Sequence, residues 1–228
     1  MSYIVIRHDK EPVRNIFCIG RNYIEHAHEL NNPVPEAPLV FFKPTGTLLH
    51  EGSQIPLPVY SEDVHHEAEL VLFINKDAEG LTKENALKFI GAIGLGLDLT
   101  ARDIQSIEKS KGHPWSRSKG FKGAAPISKF IPFSEASMPL GQIRFSLDVN
   151  GERRQTGHLS ELIFDIPTLL EHLNSIYGLQ KGDLVFTGTP KGVAKMKTGD
   201  EMSLKLTTSI DPDNPTSNEI VTAEFTVA

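Results

Sequence analysis

The sequence predicts an α+β fold rich in β structure, on three observations. Apolar or alternating segments of strand length recur along the whole chain, stretches with helical spacing are few, and Asn150-Gly151 separates two strand-like runs. In chain order the strand-like segments are Tyr3 to Arg7, Ile16 to Ile19, Leu39 to Lys43, Glu69 to Ile74, Ala92 to Asp98, Ile143 to Val149, Leu184 to Thr187 and two more near the C terminus. Helices are expected at about Tyr23 to Asn31, Lys83 to Phe89, Ala101 to Lys109 and Ile166 to Ile176. Pro167 falls in the first turn of the last, where a missing N–H costs nothing. Thr100-Ala101-Arg102-Asp103 reads as a capping box, and Asn22 with Glu25 as an N-cap and its third-position partner. Asn150-Gly151 suits a two-residue hairpin whose central positions both need positive φ. The Pro, Asp and Asn residues between 210 and 217 suggest a surface loop. Length favours one domain over 1–228, on which the proline-rich first sixty residues form a small N-terminal layer.

Composition narrows the function classes. With 228 residues, 39% of them hydrophobic, the chain can bury a sizeable core without staples. Cys18 is the sole cysteine, so no intrachain disulfide forms, and its apolar strand suits an inert core thiol. Residues 1–10 mix polar and apolar types, unlike a secretory signal. No run nears the roughly 18 apolar residues of a membrane span, and a formal charge of -6 argues against a nucleic-acid backbone binder. A cytoplasmic enzyme of a small molecule, with no nucleic-acid or membrane partner, is the expectation. The local basic cluster Lys109, Lys111, Arg117, Lys119 and Lys122 reads either as a solvated loop or as a contact for a substrate anion.

Glu67 and Glu69, two residues apart at the mouth of an apolar strand, share one face by strand periodicity, and Asp98 ends another apolar run. Two readings fit: a solvated strand face with a capping aspartate, or an oxygen-ligand site for a hard cation, which would relieve the cost of burying like charges. His26 and Glu29 stand three apart on the first helix, as surface decoration or as an imidazole–carboxylate pair able to take a proton from water. Arg21 precedes that helix and offers a fork for a carboxylate, or simply a salt bridge. Lys181 to Gly192 combines a turn, a short strand and a glycine-rich loop with hydroxyls, suited to an oxyanion. Phosphate-loop, dinucleotide and nucleophile-elbow spacings are all absent.

Taken in order, Gly20-Arg21-Asn22-Tyr23, His65-His66-Glu67-Ala68-Glu69, Leu97-Asp98-Leu99-Thr100-Ala101-Arg102-Asp103-Ile104-Gln105 and Thr187-Gly188-Thr189-Pro190-Lys191-Gly192-Val193 closely resemble the fumarylacetoacetate hydrolase family. The short length resembles its single-domain acylpyruvase and oxaloacetate decarboxylase branch. The resemblance implies the mixed β-roll of that family's C-terminal domain, commonly a homodimer. It also implies Mg²⁺ or Mn²⁺ on Glu67, Glu69 and Asp98, and a lid dyad of His26 and Glu29 that activates water. Lys119 then faces the substrate, and Arg21, Arg102, Gln105 and Thr189 contact it. The activity implied is cleavage of a carbon–carbon bond in acylpyruvates through a pyruvate enolate. Alternatives are an oxaloacetate decarboxylase, or an isomerase or decarboxylase of unsaturated 2-oxo dicarboxylates of the 2-hydroxyhepta-2,4-diene-1,7-dioate and 5-oxopent-3-ene-1,2,5-tricarboxylate type. Outside the family stands a non-catalytic metal- or carboxylate-binding module. One departure from the pattern is Lys119-Gly120-Phe121-Lys122, where glycine and a second lysine replace small hydroxyl residues, so that Lys122 is a candidate contact for another substrate end.

Overall fold

The structure, a computed structural model, describes residues 2–29, 34–208 and 218–228, with the side chains of residues 26–28 and 218 outside that description. Its elements in chain order are β1 (Tyr3–Ile6), β2 (Asp9–Pro12), β3 (Ile16–Gly20), α1 (Ile24–Glu29), β4 (Leu39–Lys43), β5 (Leu48–His50), β6 (Gln54–Ile55), β7 (Val64–His66), β8 (Ala68–Ile74) and β9 (Ile90–Leu97). Then follow β10 (Thr100–Ala101), α2 (Arg102–Lys111), α3 (Ser116–Lys119), β11 (Ala125–Ile127), β12 (Ile131–Pro132), β13 (Ile143–Val149), β14 (Glu152–His158), α4 (Ile166–Tyr177), β15 (Leu184–Phe186), β16 (Ala194–Lys195), β17 (Glu201–Thr208) and β18 (Asn218–Val227).

An eight-stranded sheet runs β4-β3-β15-β8-β9-β11-β5, with β12 paired to β9, and a five-stranded sheet runs β14-β13-β17-β18-β6. Pairing is mixed: β3 with β15, β5 with β11 and β6 with β18 are parallel, so distant segments of chain become neighbours. Strand β8 shows how one period-two run serves two environments. Leu70 and Leu72 face the main core beside Phe145, Leu147 and Leu204, whereas Val71 and Phe73 face a second cluster with Cys18, Ala92 and Phe186. Burial of this many apolar side chains is the main favourable term in the fold.

The β-rich class, the long strands and α4 stand where the sequence placed them. Asp165 caps α4 by accepting from the Thr168 amide at 2.9 Å, and Asn150 (φ 54) and Gly151 (φ 78) turn β13 into β14. Other expectations need correction. The first sixty residues are not a separate layer: only β1 and β2 form a ribbon of their own, while β3, β4 and β5 belong to the large sheet. The capping box fails, because Thr100 pairs with His65 in β10 and its hydroxyl turns to the Asp98 carbonyl at 3.2 Å. Asp103 instead accepts from Ser61 (2.6 Å) and the Glu62 amide (3.0 Å). At 83–89 only a short 3₁₀ turn, Ala86–Phe89, appears. The expected loop at 210–217 and the end of the first helix beyond residue 29 lie outside the described residues.

Candidate active site and metal centre

Glu67 occupies the single residue between β7, which belongs to a three-stranded sheet with β10 and β16, and β8 of the large sheet. Expected alternation is therefore broken at Glu67, yet its carboxylate still meets the others. Asp98 follows β9, the partner of β8, and its amide donates to the Glu67 carbonyl at 2.8 Å. Glu69 lies opposite Gly96 on that pair. Ligand oxygens of Glu67, Glu69 and Asp98 all lie within 4.8 Å of one another, and the three residues are buried.

Three cations balance them. Lys119, at the end of α3, reaches Glu67 Oε2 at 2.8 Å and Asp98 Oδ2 at 2.6 Å. Lys43 Nζ lies 2.8 Å from Asp98 Oδ1, off hydrogen-bond direction, and spends its protons on the carbonyls of Leu99 (3.1 Å) and Lys119. Arg102 pairs with Glu67 and donates to Gln105 Oε1 at 2.8 Å, leaving its buried Nε without a partner among the described residues. Burial alone would pull the Lys119 ammonium down, but Asp98 and Glu67 outweigh it and leave it raised. Glu69 is held well above the ordinary carboxylate range, chiefly by burial and then by the charge of Asp98, although the Gly188 amide donates to its Oε2 at 2.7 Å.

This arrangement fits a hard divalent cation. Three buried carboxylates converge with only oxygen donors, one of them favours its proton because it is buried beside Asp98, and one Asp98 oxygen accepts no directed hydrogen bond among the described residues. Oxygen ligands alone do not choose between Mg²⁺ and Mn²⁺.

Loop 187–192 forms the opposite wall. Thr187 donates through its hydroxyl to the Leu70 carbonyl at 3.0 Å, fixing the loop against β8. Gly188 has φ +105, and a Cβ there would stand 2.7 Å from Asn22 Cβ, so only glycine fits. Thr189 is buried and accepts from Gln155 Nε2 at 2.8 Å; Gln155 also binds the Pro190 carbonyl, the Ala68 amide and His66 Nδ1. Asn22, the expected N-cap, turns its side chain to two other loops. Fully buried, it donates to the carbonyls of Thr187 (2.9 Å) and Phe164 (3.1 Å) and accepts from the Phe164 amide (2.9 Å).

Of the residues expected in the site, Glu67, Glu69, Asp98, Lys119, Arg102 and Gln105 come together, with Thr189 one bond network away. Arg21 precedes α1 at φ 58 and is half-buried, and burial lowers its pKa. The side chain of His26 lies outside the described residues, whereas Glu29 is exposed and accepts from the Gly192 amide at 3.1 and 3.2 Å, which ties α1 to the same loop. Lys122 is exposed and Cys18 is fully buried, its thiol pushed up by burial and then by Asp98. Sequence reasoning missed Lys43 and Gln155. A lysine closing the apolar run Leu39-Val40-Phe41-Phe42 was a signal for the first; Gln155, in a run of polar residues, gave none.

Comparison with known proteins gives the chain relatives. Residues 15–227 match the family described as fumarylacetoacetate (FAA) hydrolase C-terminal. The chain is 40% identical over 204 residues to "Oxaloacetate decarboxylase, mitochondrial" of Dictyostelium discoideum, covering 89% of this chain and 93% of that one. It is 40% identical over 189 residues to human "Oxaloacetate tautomerase FAHD1, mitochondrial", covering 83% and 85%. Among solved structures, fumarylpyruvate hydrolase from Pseudomonas aeruginosa in complex with Mn²⁺ and pyruvate superposes with a TM-score of 0.86 at 30% identity, over 100% of this chain and 97% of that one.

Proposed function

Because the chain belongs to the fumarylacetoacetate hydrolase C-terminal family, we propose that it is a divalent-metal-dependent enzyme of oxaloacetate, interconverting its keto and enol forms and releasing carbon dioxide from it. The observation that carries this reading is the oxygen-only triad Glu67, Glu69 and Asp98 set against Lys119 and Arg102, a cation site faced by cations, as a chelating anion requires. The names of relatives at 40% identity support oxaloacetate over the acylpyruvate hydrolysis expected from the sequence. A Mg²⁺ or Mn²⁺ ion held by the three carboxylates would supply a Lewis acid for the carboxylate and keto oxygens of a 2-oxo acid.

The chain's own residues do the rest. Lys119 keeps its proton between Asp98 and Glu67 and offers an ammonium to an oxyanion. Arg102, oriented by Gln105, has its Nε donor free for a carboxylate or enolate oxygen. Thr189, held by Gln155, presents a hydroxyl, and Arg21, just ahead of α1, is assigned as a second carboxylate fork. In ketonisation the enol oxygen loses a proton and C3 gains one; we assign that exchange to His26 with Glu29, supported by the tie of Glu29 to Gly192. In decarboxylation the bond from C3 to the distal carboxylate breaks, its electron pair stays on the C2–C3 enolate that Lys119 and Arg102 neutralise, and C3 then takes a proton.

The test follows enol absorbance, carbon dioxide and pyruvate from oxaloacetate with Mg²⁺, Mn²⁺ or EDTA. Metal-dependent turnover that Glu69→Gln abolishes is expected, while His26→Ala slows proton exchange and keeps metal affinity. Oxaloacetate left inert, with acetate or fumarate released from acylpyruvates, would move the assignment to hydrolysis, a second reading supported by the fumarylpyruvate hydrolase neighbour. A homodimer and a cytoplasmic location belong to the proposal as well, although the relatives are mitochondrial by name. Sedimentation and cell fractionation check them. No helix among the described residues is long and apolar enough to cross a membrane.

A further inference from the structure

Helix α2 presents Arg102, Gln105 and Lys109 at spacings of three and four, so the three side chains share one face. Arg102 and Gln105, at the near end of that face, are bonded to each other and to Glu67. Lys109, two turns farther out, places Nζ 5.3 Å from the centre of the Trp115 ring. Trp115 meets Phe41 edge-on at 5.7 Å, and Lys119 Nζ lies 4.7 Å from the Phe41 centre. Lys109 and Lys119 therefore flank one aromatic wall, the first at its outer end and the second beside the acidic triad. Strand periodicity puts Phe41 on the same face of β4 as Lys43, and Gly20, next to Arg21, pairs with Leu39 at the other end of that strand.

No carboxylate of a described residue pairs with Lys109. Glu108 is committed to Ser118 and the Arg117 amide, Asp103 to Ser61 and the Glu62 amide, and Glu67 to Arg102 and Lys119. Around it stand further cations, Arg21, Arg102 and Lys119, whose charges work against its own and outweigh the opposing pull of Glu67. A lysine set among cations, with only Glu67, already paired with Arg102 and Lys119, to offset them, is an arrangement that an incoming anion completes.

We propose that Lys109 is a specificity residue that binds the distal carboxylate of a dicarboxylic 2-oxo acid, while the 2-oxo acid end lies toward Lys119 and the carboxylate triad. This rests on the reading of the site as one for 2-oxo acids. Discrimination then comes from the outer end of the aromatic wall: a monocarboxylic 2-oxo acid of equal length leaves Lys109 uncompensated, and a dicarboxylic one pairs it.

The experiment measures calorimetric Kd for 2-oxoglutarate and for 2-oxopentanoate, matched in length and differing in the distal carboxylate, on the full chain with saturating Mg²⁺ at fixed ionic strength. The parent is expected to prefer the dicarboxylate by about tenfold or more, the size of one charge-assisted hydrogen bond. Lys109→Met should remove the preference by weakening only the dicarboxylate, and Lys109→Arg should retain it. A parent without preference, or a Lys109→Met variant that weakens both ligands equally through a collapsed Trp115 wall, would overturn the proposal. Preference lost as expected in a protein that turns over no 2-oxo acid would instead refute the catalytic reading alone.

Discussion

Asn22→Ala is expected to lower the free energy of unfolding by about 4–6 kcal/mol, well above the roughly 1 kcal/mol that loss of a helix cap costs. The larger figure comes from the geometry. The variant removes three side-chain hydrogen bonds, to the Thr187 carbonyl (2.9 Å), the Phe164 carbonyl (3.1 Å) and from the Phe164 amide (2.9 Å), at a residue with no exposed surface. Each bond contributes about 1 kcal/mol net, and the buried Thr187 carbonyl left without this partner adds about 1–3 kcal/mol. For a chain of this length the shift in Tm is roughly 8–24 °C. Urea denaturation with the slope checked against the parent separates native-state loss from a changed denatured state. Because Thr187 leads into Gly188, whose amide holds Glu69, metal-dependent activity should fall beyond what the unfolded fraction explains. Asn22→Asp is expected to do no better than alanine, since its carboxylate faces two carbonyl oxygens. A loss of 1 kcal/mol or less with normal activity would refute the account of Asn22 as the stitch between the 164 and 187 loops.

Other outcomes follow from the same site. Gly188→Ala combines a left-handed backbone position with a Cβ 2.7 Å from Asn22 Cβ and should cost about 2–5 kcal/mol, whereas Gly199→Ala, at φ +89 in open space, should cost only about 1–2 kcal/mol; equal losses by urea titration would contradict the contact. Glu69 keeps its proton in the folded protein at pH values where the unfolded chain has lost it, so metal-free stability falls as pH rises from about 4.3 through its raised folded value. Divalent metal should stabilise increasingly across that window, and thermal melts in EDTA and in Mg²⁺ that run parallel throughout would oppose the assignment. Lys109, pushed down to about 8 by burial and then by Arg21, Arg102 and Lys119, loses its charge above that pH in the unliganded protein, so the dicarboxylate preference should decline through pH 8 in the parent but persist in Lys109→Arg. Binding isotherms across that range check it.

Periodicity and turn chemistry are local, and they alone determined much of this protein. Val71, Phe73 and Leu70, Leu72 alternate because β8 is buried on both faces, Asn150-Gly151 accepts positive φ, and Asp165 ahead of Pro167 starts α4. The four motifs also carried the family and its carboxylates. Apart from the apolar β15, strands of two or three residues were illegible because their existence depends on a partner: β7 pairs with β10 and β16 from segments far along the chain. Polar β14 carries no apolar pattern, because its edge position asks for none, and only the Asn150-Gly151 turn marked it as a strand. Only tertiary structure decided that Asn22 stitches two loops, that Lys43 stands beside Asp98, that Gln155 holds Thr189 and that Lys109 stands among cations. Each depends on which distant groups lie within 3 to 5 Å of a side chain, and pairings across mixed sheets set those distances while leaving no mark on local sequence.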